Sequence, residues 1–151
     1  MVDDQDAHWL KQHHWYANKQ GTAWYAIANN RGGRPKTLRL HRLIMNAPLG
    51  LVVDHISGNA LDNRRCNLRL ATKSQNAANG NRHRDNATSR YKGVHFTPNL
   101  RKPWQGIVCL NGVHYRSPRF GSAIAAARAY DELALRLHGE FARCNFKSAD
   151  A

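Results

Sequence analysis

Residues 52–76 read VVDHISGNALDNRRCNLRLATKSQN. The apolar run that begins at Leu51 continues into the first letters of this segment, which predicts a strand. After a polar loop, residues 67–72 alternate polar and apolar side chains, so a second strand is expected. Ser74 can cap a brief helix that would end by Gly80. The predicted unit is therefore a strand, a long loop, a second strand and a short helix.

Polar residues in this unit have the chemistry that phosphodiester hydrolysis requires. His55 is a natural general base, because imidazole titrates near neutral pH. Asp54 and the amide oxygen of Asn76 are hard donors suited to Mg²⁺ or Mn²⁺. Alternation along a strand sends Asp54 and His55 to opposite faces unless the strand bends there. Asn76 can equally be a polar group on a helix surface, and Asn67 a turn residue.

Further elements are predicted before this unit. Residues 3–16 are acidic and then aromatic, which favours a short helix, whereas residues 22–28 are rich in strand formers. A turn rich in Asn and Gly leads to a returning strand at 37–40, and a short helix is expected at 41–45. Three roles are open for His41: a core-facing histidine, a phosphate contact or an auxiliary site residue.

The net charge favours a polyanionic partner. The 151-residue chain has 23 Lys and Arg against 10 Asp and Glu, a formal charge of +13. Both halves share this excess, with 13 basic against 6 acidic residues in 1–87 and 10 against 4 in 88–151. Nucleic acid is the expected partner, because neutralised phosphates release condensed counterions. The alternative is a solvated surface with surplus Lys and Arg.

The composition argues against several other classes of protein. No run of about 18 apolar residues exists, so no membrane partner is expected. The 4 Trp, 5 Tyr and 4 Phe are too many for a disordered basic tail. An acidic start without an apolar segment favours a cytoplasmic protein over a secreted one. Three cysteines, odd in number and far apart, argue against a disulfide framework and a paired-cysteine zinc site.

A second folded region is predicted after a polar stretch. Residues 81–90 are expected to form a basic linker, since they contain no large apolar side chain. Three strands are then expected, at 91–96, 104–110 and 113–115. Asn111 and Gly112 give a strong hairpin signal between the second and third strands. An amphipathic helix at 122–137 would cover this sheet as a second layer.

The segments LHRLIM, VVDHISGNALDNRR, CNLRLAT and KSQN closely resemble the HNH endonucleases, specifically the phage homing type. The resemblance covers most of residues 20–82. It implies a ββα-metal fold, in which a strand end and a helix clamp one cation, Mg²⁺ or Mn²⁺. Structural zinc is not expected, because the paired Cys-X-X-Cys knuckles of some family members are missing.

The same resemblance assigns roles to residues. It implies that His55 and Asn67 form the catalytic set, with His55 as the base and Asn67 holding the loop that orients the imidazole. Asp54 and Asn76 are implied as the metal ligands. Asn63 is implied as a residue that pins the loop.

Residues 91–146 resemble an AP2/ERF-type domain of the kind appended to phage HNH enzymes. The matching segments are YKGV at 91–94, AARAYD at 126–131 and GEFARCNF at 139–146. In that family the three-stranded sheet lies in the major groove of DNA, which admits a β-ribbon as readily as a helix. Trp104 can alternatively be a core aromatic. The linker and this resemblance together indicate the following DNA contacts: Arg82, Arg84, Arg90, Lys92, His95, Arg101, Lys102, Trp104, Arg116 and Arg119.

These patterns together predict an α+β chain. An aromatic segment and hairpin at 1–40 would pack on a nuclease core at 41–80, and a basic linker at 81–90 would lead to an AP2/ERF-like domain at 91–147. The predicted function is divalent-metal-dependent hydrolysis of double-stranded DNA, by a monomer or a homodimer. The alternatives are a DNA-binding regulator with a decayed nuclease module and, less favoured, an RNA-binding factor.

Overall fold

The computed structural model describes residues 1–80 and 88–146. The chain divides into two compact units, Met1–Asn76 and Ala77–Ala151. Both units combine helices with small antiparallel sheets, so the predicted α+β class is confirmed. None of the helices in the described ranges has the length and apolar composition that spanning a bilayer requires.

The first unit begins with short helical segments and a three-stranded antiparallel sheet. Its elements are a 3₁₀ turn at Asp4–Asp6, helix α1 (His8–Gln12), strands β1 (Trp15–Gln20), β2 (Ala23–Asn29) and β3 (Thr37–Arg39), and helix α2 (Leu40–Ile44). The sheet order is β1-β2-β3. The prediction of a helix over residues 3–16 is therefore wrong for its last residues, because Trp15 is in a strand and pairs with Ala28 across the sheet. The sequence prediction missed β1 altogether.

A two-stranded hairpin completes the first unit, and the helix that follows it spans the boundary between the two units in the sequence. Strand β4 (Val52–His55) pairs antiparallel with β5 (Leu68–Ala71), and helix α3 (Lys73–Asn79) follows directly. A 3₁₀ turn at Arg65–Asn67 ends the long loop between the strands. The order of strand, loop, strand and helix is thus the one that the local patterns predicted.

The core of the first unit lies on one face of this hairpin. Leu40 and Ile44 from α2 pack with Val53 of β4 and Leu68 of β5, and each of these side chains is buried. Trp9 and Trp15 are among the half-buried side chains that cover this cluster. The aromatic N-terminal segment therefore packs on the hairpin.

The second unit is a sheet covered by one long helix. Strands β6 (Val94–Phe96), β7 (Trp104–Leu110) and β8 (Val113–Phe120) pair antiparallel in that order, and helix α4 spans Ala123–His138. The hairpin at Asn111 and Gly112 is confirmed, with φ of 50° and 84°, the left-handed values that such a turn requires. The Ser122 hydroxyl accepts the Ala125 N–H at 3.2 Å and caps α4, as predicted.

Strand β8 is longer than the sequence pattern predicted. It continues to Phe120, which pairs with Trp104, and the ladder is interrupted between Gln105 and Ile107. Pro118 lies within this extension, and its missing N–H is tolerated because β8 is an edge strand. Gly106 lies close beneath the helix, where an added Cβ would come within 2.9 Å of the Ala126 carbonyl oxygen.

Candidate active site

His55 ends strand β4 and is buried, with 6% of its surface exposed. Its Nε2–H donates to Asn63 Oδ1 at 3.3 Å, and the Asn63 amide group donates to the Leu61 carbonyl at 3.3 Å. This arrangement orients the Asn63 amide and leaves Nδ1 with the lone pair of the neutral ring. Burial lowers the pKa of His55, although the Asn63 hydrogen bond and the carboxylates of Asp54 and Asp62 act in the opposite direction. A neutral ring at neutral pH can accept a proton.

Two more rings surround this imidazole. His41 on α2 lies with its ring centroid 5.1 Å from that of His55, at an interplanar angle of 89°, and Tyr25 of β2 lies 5.8 Å from His41 and 6.3 Å from His55. Burial lowers the pKa of His41 to about 3, and a proton on the neighbouring His55 would act in the same direction, so His41 is neutral at physiological pH. Its buried Nδ1 makes no hydrogen bond within the described part of the chain. His41 is thus a direct neighbour of His55.

Asp54 lies on the other face of the hairpin. It pairs with Arg69 across the strands, whereas His55 pairs with Leu68, and residues directly opposite in an antiparallel ladder share a face. The Arg69 guanidinium donates to Asp54 Oδ2 from Nε and from a terminal nitrogen, both at 2.8 Å. Both side chains are largely buried, with 5% of Asp54 and 12% of Arg69 exposed. The alternation expected from the sequence is therefore present, and the register is regular through His55.

The donor types at this hairpin fit a hard divalent cation. Asp54 contributes a buried carboxylate, and a positive group already lies against its Oδ2, as a cation would. Asn76 contributes an exposed side-chain amide on α3. The backbone N–H of Asn76 donates to the Thr72 carbonyl at 3.0 Å. Carboxylate and amide oxygens are the ligands that Mg²⁺ and Mn²⁺ prefer. Asp54 can bind such an ion through Oδ2 only after Arg69 gives up that oxygen.

The Asn67 side chain is hydrogen-bonded to two separate positions of the loop that carries Asn63. Its Oδ1 accepts the Ser57 N–H at 2.8 Å, and its Nδ2 donates to the Asp62 carbonyl at 2.8 Å. Its own carbonyl accepts the Ile56 N–H at 2.9 Å. The loop-holding role that the resemblance implied for Asn67 agrees with these bonds. The Asn63 side chain is hydrogen-bonded to the His55 ring.

The N-terminal segment is bonded to the same loop through Arg65. The Arg65 guanidinium donates two hydrogen bonds to the buried Asp6 carboxylate, at 2.8 and 2.7 Å, and the Arg65 N–H donates to Asp3 at 2.7 Å. Within the loop, Arg64 makes a similar bidentate pair with Asp62, which lowers the pKa of Asp62 to about 2. The loop is therefore held from both sides.

Sequence reasoning missed Arg69 and Tyr25 as neighbours of the candidate site. Arg69 lies in the segment CNLRLAT, but its partner is known only once the strand register pairs position 69 with position 54. Tyr25 comes from a strand of a different sheet, and no local pattern connects it with His55.

Comparison with known proteins relates the sequence of this region to a family. The HNH endonuclease family model matches residues 39–78, which include the hairpin and most of α3. An uncharacterized HNH endonuclease of Acanthamoeba polyphaga mimivirus is 31% identical over 142 residues, which cover 90% of this chain and 68% of that protein. The chain belongs to the HNH endonuclease family. Protein 3.8 of Escherichia phage T7 is 34% identical to this HNH protein over 96 residues, 64% of this chain and 77% of its own. No solved structure matches significantly.

The predicted DNA contacts of the HNH protein lie in varied surroundings in its second unit. His95 is exposed on β6, Arg101 and Lys102 are exposed between β6 and β7, and Arg116 is exposed on β8. Arg119 is half-buried, and one of its terminal nitrogens, NH1, is buried without a hydrogen bond to any residue that the structure describes. Arg82 and Arg84 lie outside the described residues.

Three other predicted contacts of the HNH protein already have partners within the chain. The Lys92 ammonium donates to the Ala78 carbonyl near the end of α3. The Arg90 guanidinium donates to the Tyr91 hydroxyl at 3.2 Å and lies 5.2 Å from the centre of that ring. Trp104 is half-buried, packs against the core cluster that includes Val94, and lies 4.8 Å from the Phe96 ring. Its packing favours the core-aromatic alternative for Trp104.

Proposed function

We propose that this HNH protein is a divalent-cation-dependent endonuclease of the phage homing type that hydrolyses double-stranded DNA. The observation that supports the hydrolytic role is His55, a buried neutral imidazole with Nε2 held by Asn63 and Nδ1 carrying the lone pair. Asp54, on the opposite face of the same hairpin, and Asn76, on the helix that follows it, are the proposed oxygen donors for the cation. The roles proposed here follow the ββα-metal arrangement that the sequence resemblance implies.

Each residue has a separate role in the proposed hydrolysis. His55 Nδ1 takes a proton from a water molecule whose oxygen attacks the phosphorus, and the bond from phosphorus to the leaving sugar oxygen breaks. The carboxylates of Asp54 and Asp62 favour the imidazolium that results, in line with their effect on the pKa of His55. When bound by Asp54 and Asn76, a divalent cation supplies positive charge for the developing charge on the phosphate and leaving oxygen. Asn67 and Asn63 keep the imidazole in place.

A cleavage assay tests this proposal directly. Duplex plasmid should be cut in Mg²⁺ or Mn²⁺ and left intact in EDTA, and restoring either ion should restore cutting, because the phosphate charge needs a cation. Mapping the ends on each strand distinguishes nicking from double-strand cleavage. The Asp54→Asn variant should be much less active, since it loses the charged ligand. Undiminished cutting in EDTA would contradict the proposed metal dependence.

We assign DNA binding to the second unit, as the AP2/ERF resemblance implies. The major groove admits two antiparallel strands, and β7 and β8 of this sheet form such a pair. Its edge strand β8 carries Arg116 in an exposed position, and Arg101 and Lys102 are exposed on the connection before β7. Exposed guanidinium and ammonium groups are suited to phosphate oxygens.

Arg116→Ala should weaken binding to duplex DNA of any sequence. Removing one phosphate contact should also reduce the slope of log affinity against log salt by about 1. Fluorescence anisotropy over a salt series measures both quantities. Arg136→Ala is the matched control, because Arg136 is an exposed arginine on α4, the helix that covers the sheet. If the two variants had the same affinity and salt slope, the β8 assignment would be wrong.

One observation favours a second candidate function, a DNA-binding regulator without nuclease activity. The Asp54 carboxylate is engaged by Arg69, and a carboxylate that kept this partner would not bind a cation through Oδ2. Such a protein would bind duplex DNA without scission in either Mg²⁺ or Mn²⁺. The plasmid assay therefore separates the two functions.

A further inference from the structure

The Arg69–Asp54 pair lies at the oxygen that the proposed cation site requires. Both donated hydrogen bonds, at 2.8 Å, go to the same carboxylate oxygen, Oδ2. The pair is largely buried, so solvent screens it little. A guanidinium at this distance and a divalent cation on the same oxygen would repel each other strongly. Occupation of Oδ2 by Arg69 and by a cation are therefore competing states.

A DNA phosphate can draw Arg69 away from Asp54. The planar guanidinium of arginine matches the oxygens of phosphate as well as those of carboxylate and binds both with two parallel hydrogen bonds. The Arg69 side chain retains 12% exposure, so it is not fully enclosed by the protein. A phosphate bound at the hairpin would thus offer Arg69 an alternative partner.

We propose that Arg69 holds the Asp54 carboxylate in the DNA-free protein and transfers to a DNA phosphate on binding, which couples cation binding to DNA binding. The inference rests on the proposed function, because it takes Asp54 as a cation ligand. Linkage requires the coupling to be reciprocal: DNA tightens cation binding by the factor by which the cation tightens DNA binding. Arg69 then acts as a positioning residue, which keeps the cation site closed until substrate is present.

Mn²⁺ binding measured by electron paramagnetic resonance tests the coupling without relying on activity. The His55→Ala background is used throughout, so that a short duplex stays intact during titration. Mn²⁺ should bind about tenfold more tightly with duplex than without it. This factor corresponds to the free energy that one hydrogen bond to a charged group contributes. With Arg69→Gln added, DNA-free Mn²⁺ binding should tighten by about tenfold, and the gain from DNA should shrink correspondingly.

Matched variants identify the cause of any change. Arg64→Gln removes the same charge from another bidentate Arg–Asp pair in this unit, and its Mn²⁺ binding should equal that of the parent. Asp54→Asn should abolish the tight site. Arg69→Lys replaces the fork by a single ammonium and should shift Mn²⁺ binding in the same direction as Arg69→Gln. It serves as the test if thermal unfolding shows that Arg69→Gln does not fold.

The result that overturns the coupling is specific. Unchanged DNA-free Mn²⁺ affinity in the Arg69 variants, or a full DNA-dependent gain in them, would show that Arg69 does not compete for Asp54. If wild-type protein nevertheless cuts DNA in Mn²⁺, the proposed function stands and only the coupling fails. If the parent binds no Mn²⁺ with or without duplex and wild type does not cut, both fail together.

Discussion

The His55→Ala variant should lose DNA cleavage by about 10²–10⁴-fold, the usual contribution of a positioned general base. The imidazole is buried, and Asn63 fixes which nitrogen carries the lone pair, so no water molecule at the same place would have the same basicity and orientation. Duplex binding should change little, because we assign most DNA contacts to the second unit. A large loss of cleavage with retained binding is the signature of a residue that acts on the reacting atoms.

Nicking of supercoiled plasmid in Mn²⁺ measures the cleavage rate, and anisotropy with a labelled duplex measures binding. His14→Ala is the matched control, since His14 is an exposed histidine of the same unit and should be dispensable. Circular dichroism shows whether each variant is folded. If His55→Ala cut plasmid as fast as His14→Ala, His55 would not be the base.

The sequence predicted local elements well where pattern and turn chemistry agreed. Strands β4, β5 and β7 lie within a residue or two of their expected bounds, and the hairpin at Asn111 and Gly112 follows from its left-handed backbone. Strand β1 was missed because Trp15 and Tyr16 lie only a few residues after a helical segment, and their strand conformation depends on pairing with β2. Long-range pairing of this kind is not visible in a local window.

The candidate site was predictable residue by residue but not as an arrangement. Side-chain chemistry singled out Asp54 and His55, and strand alternation correctly separated their faces. The surroundings of His55 come from α2, β2 and the long loop, and they meet only in the folded core. The pairing of Asp54 with Arg69 likewise depends on a register that one sequence does not fix. The chemistry of single side chains is therefore accessible from the sequence, whereas the contacts around them depend on the tertiary structure.

Asn67→Ala should be the most destabilising polar substitution in the long loop. The side chain is buried, with 7% exposed, and joins the Ser57 N–H to the Asp62 carbonyl. Truncation would leave a donor and an acceptor without their partner, and each such buried group costs about 1–3 kcal/mol. A total loss of about 2–6 kcal/mol is a large part of the stability of a small domain.

Urea unfolding of the full chain measures this loss, with Asn59→Ala as the matched control. Asn59 lies in the same loop and also accepts a backbone N–H, that of Leu61 at 3.1 Å, but it is exposed, so water can replace its bond. Asn59→Ala should therefore cost less than about 1 kcal/mol. Cleavage by Asn67→Ala should also fall under conditions where it is folded, because Asn63 loses its fixed position against His55. Equal unfolding midpoints for the two variants would show that the loop is held by its other contacts, chief among them the Arg65–Asp6 pair.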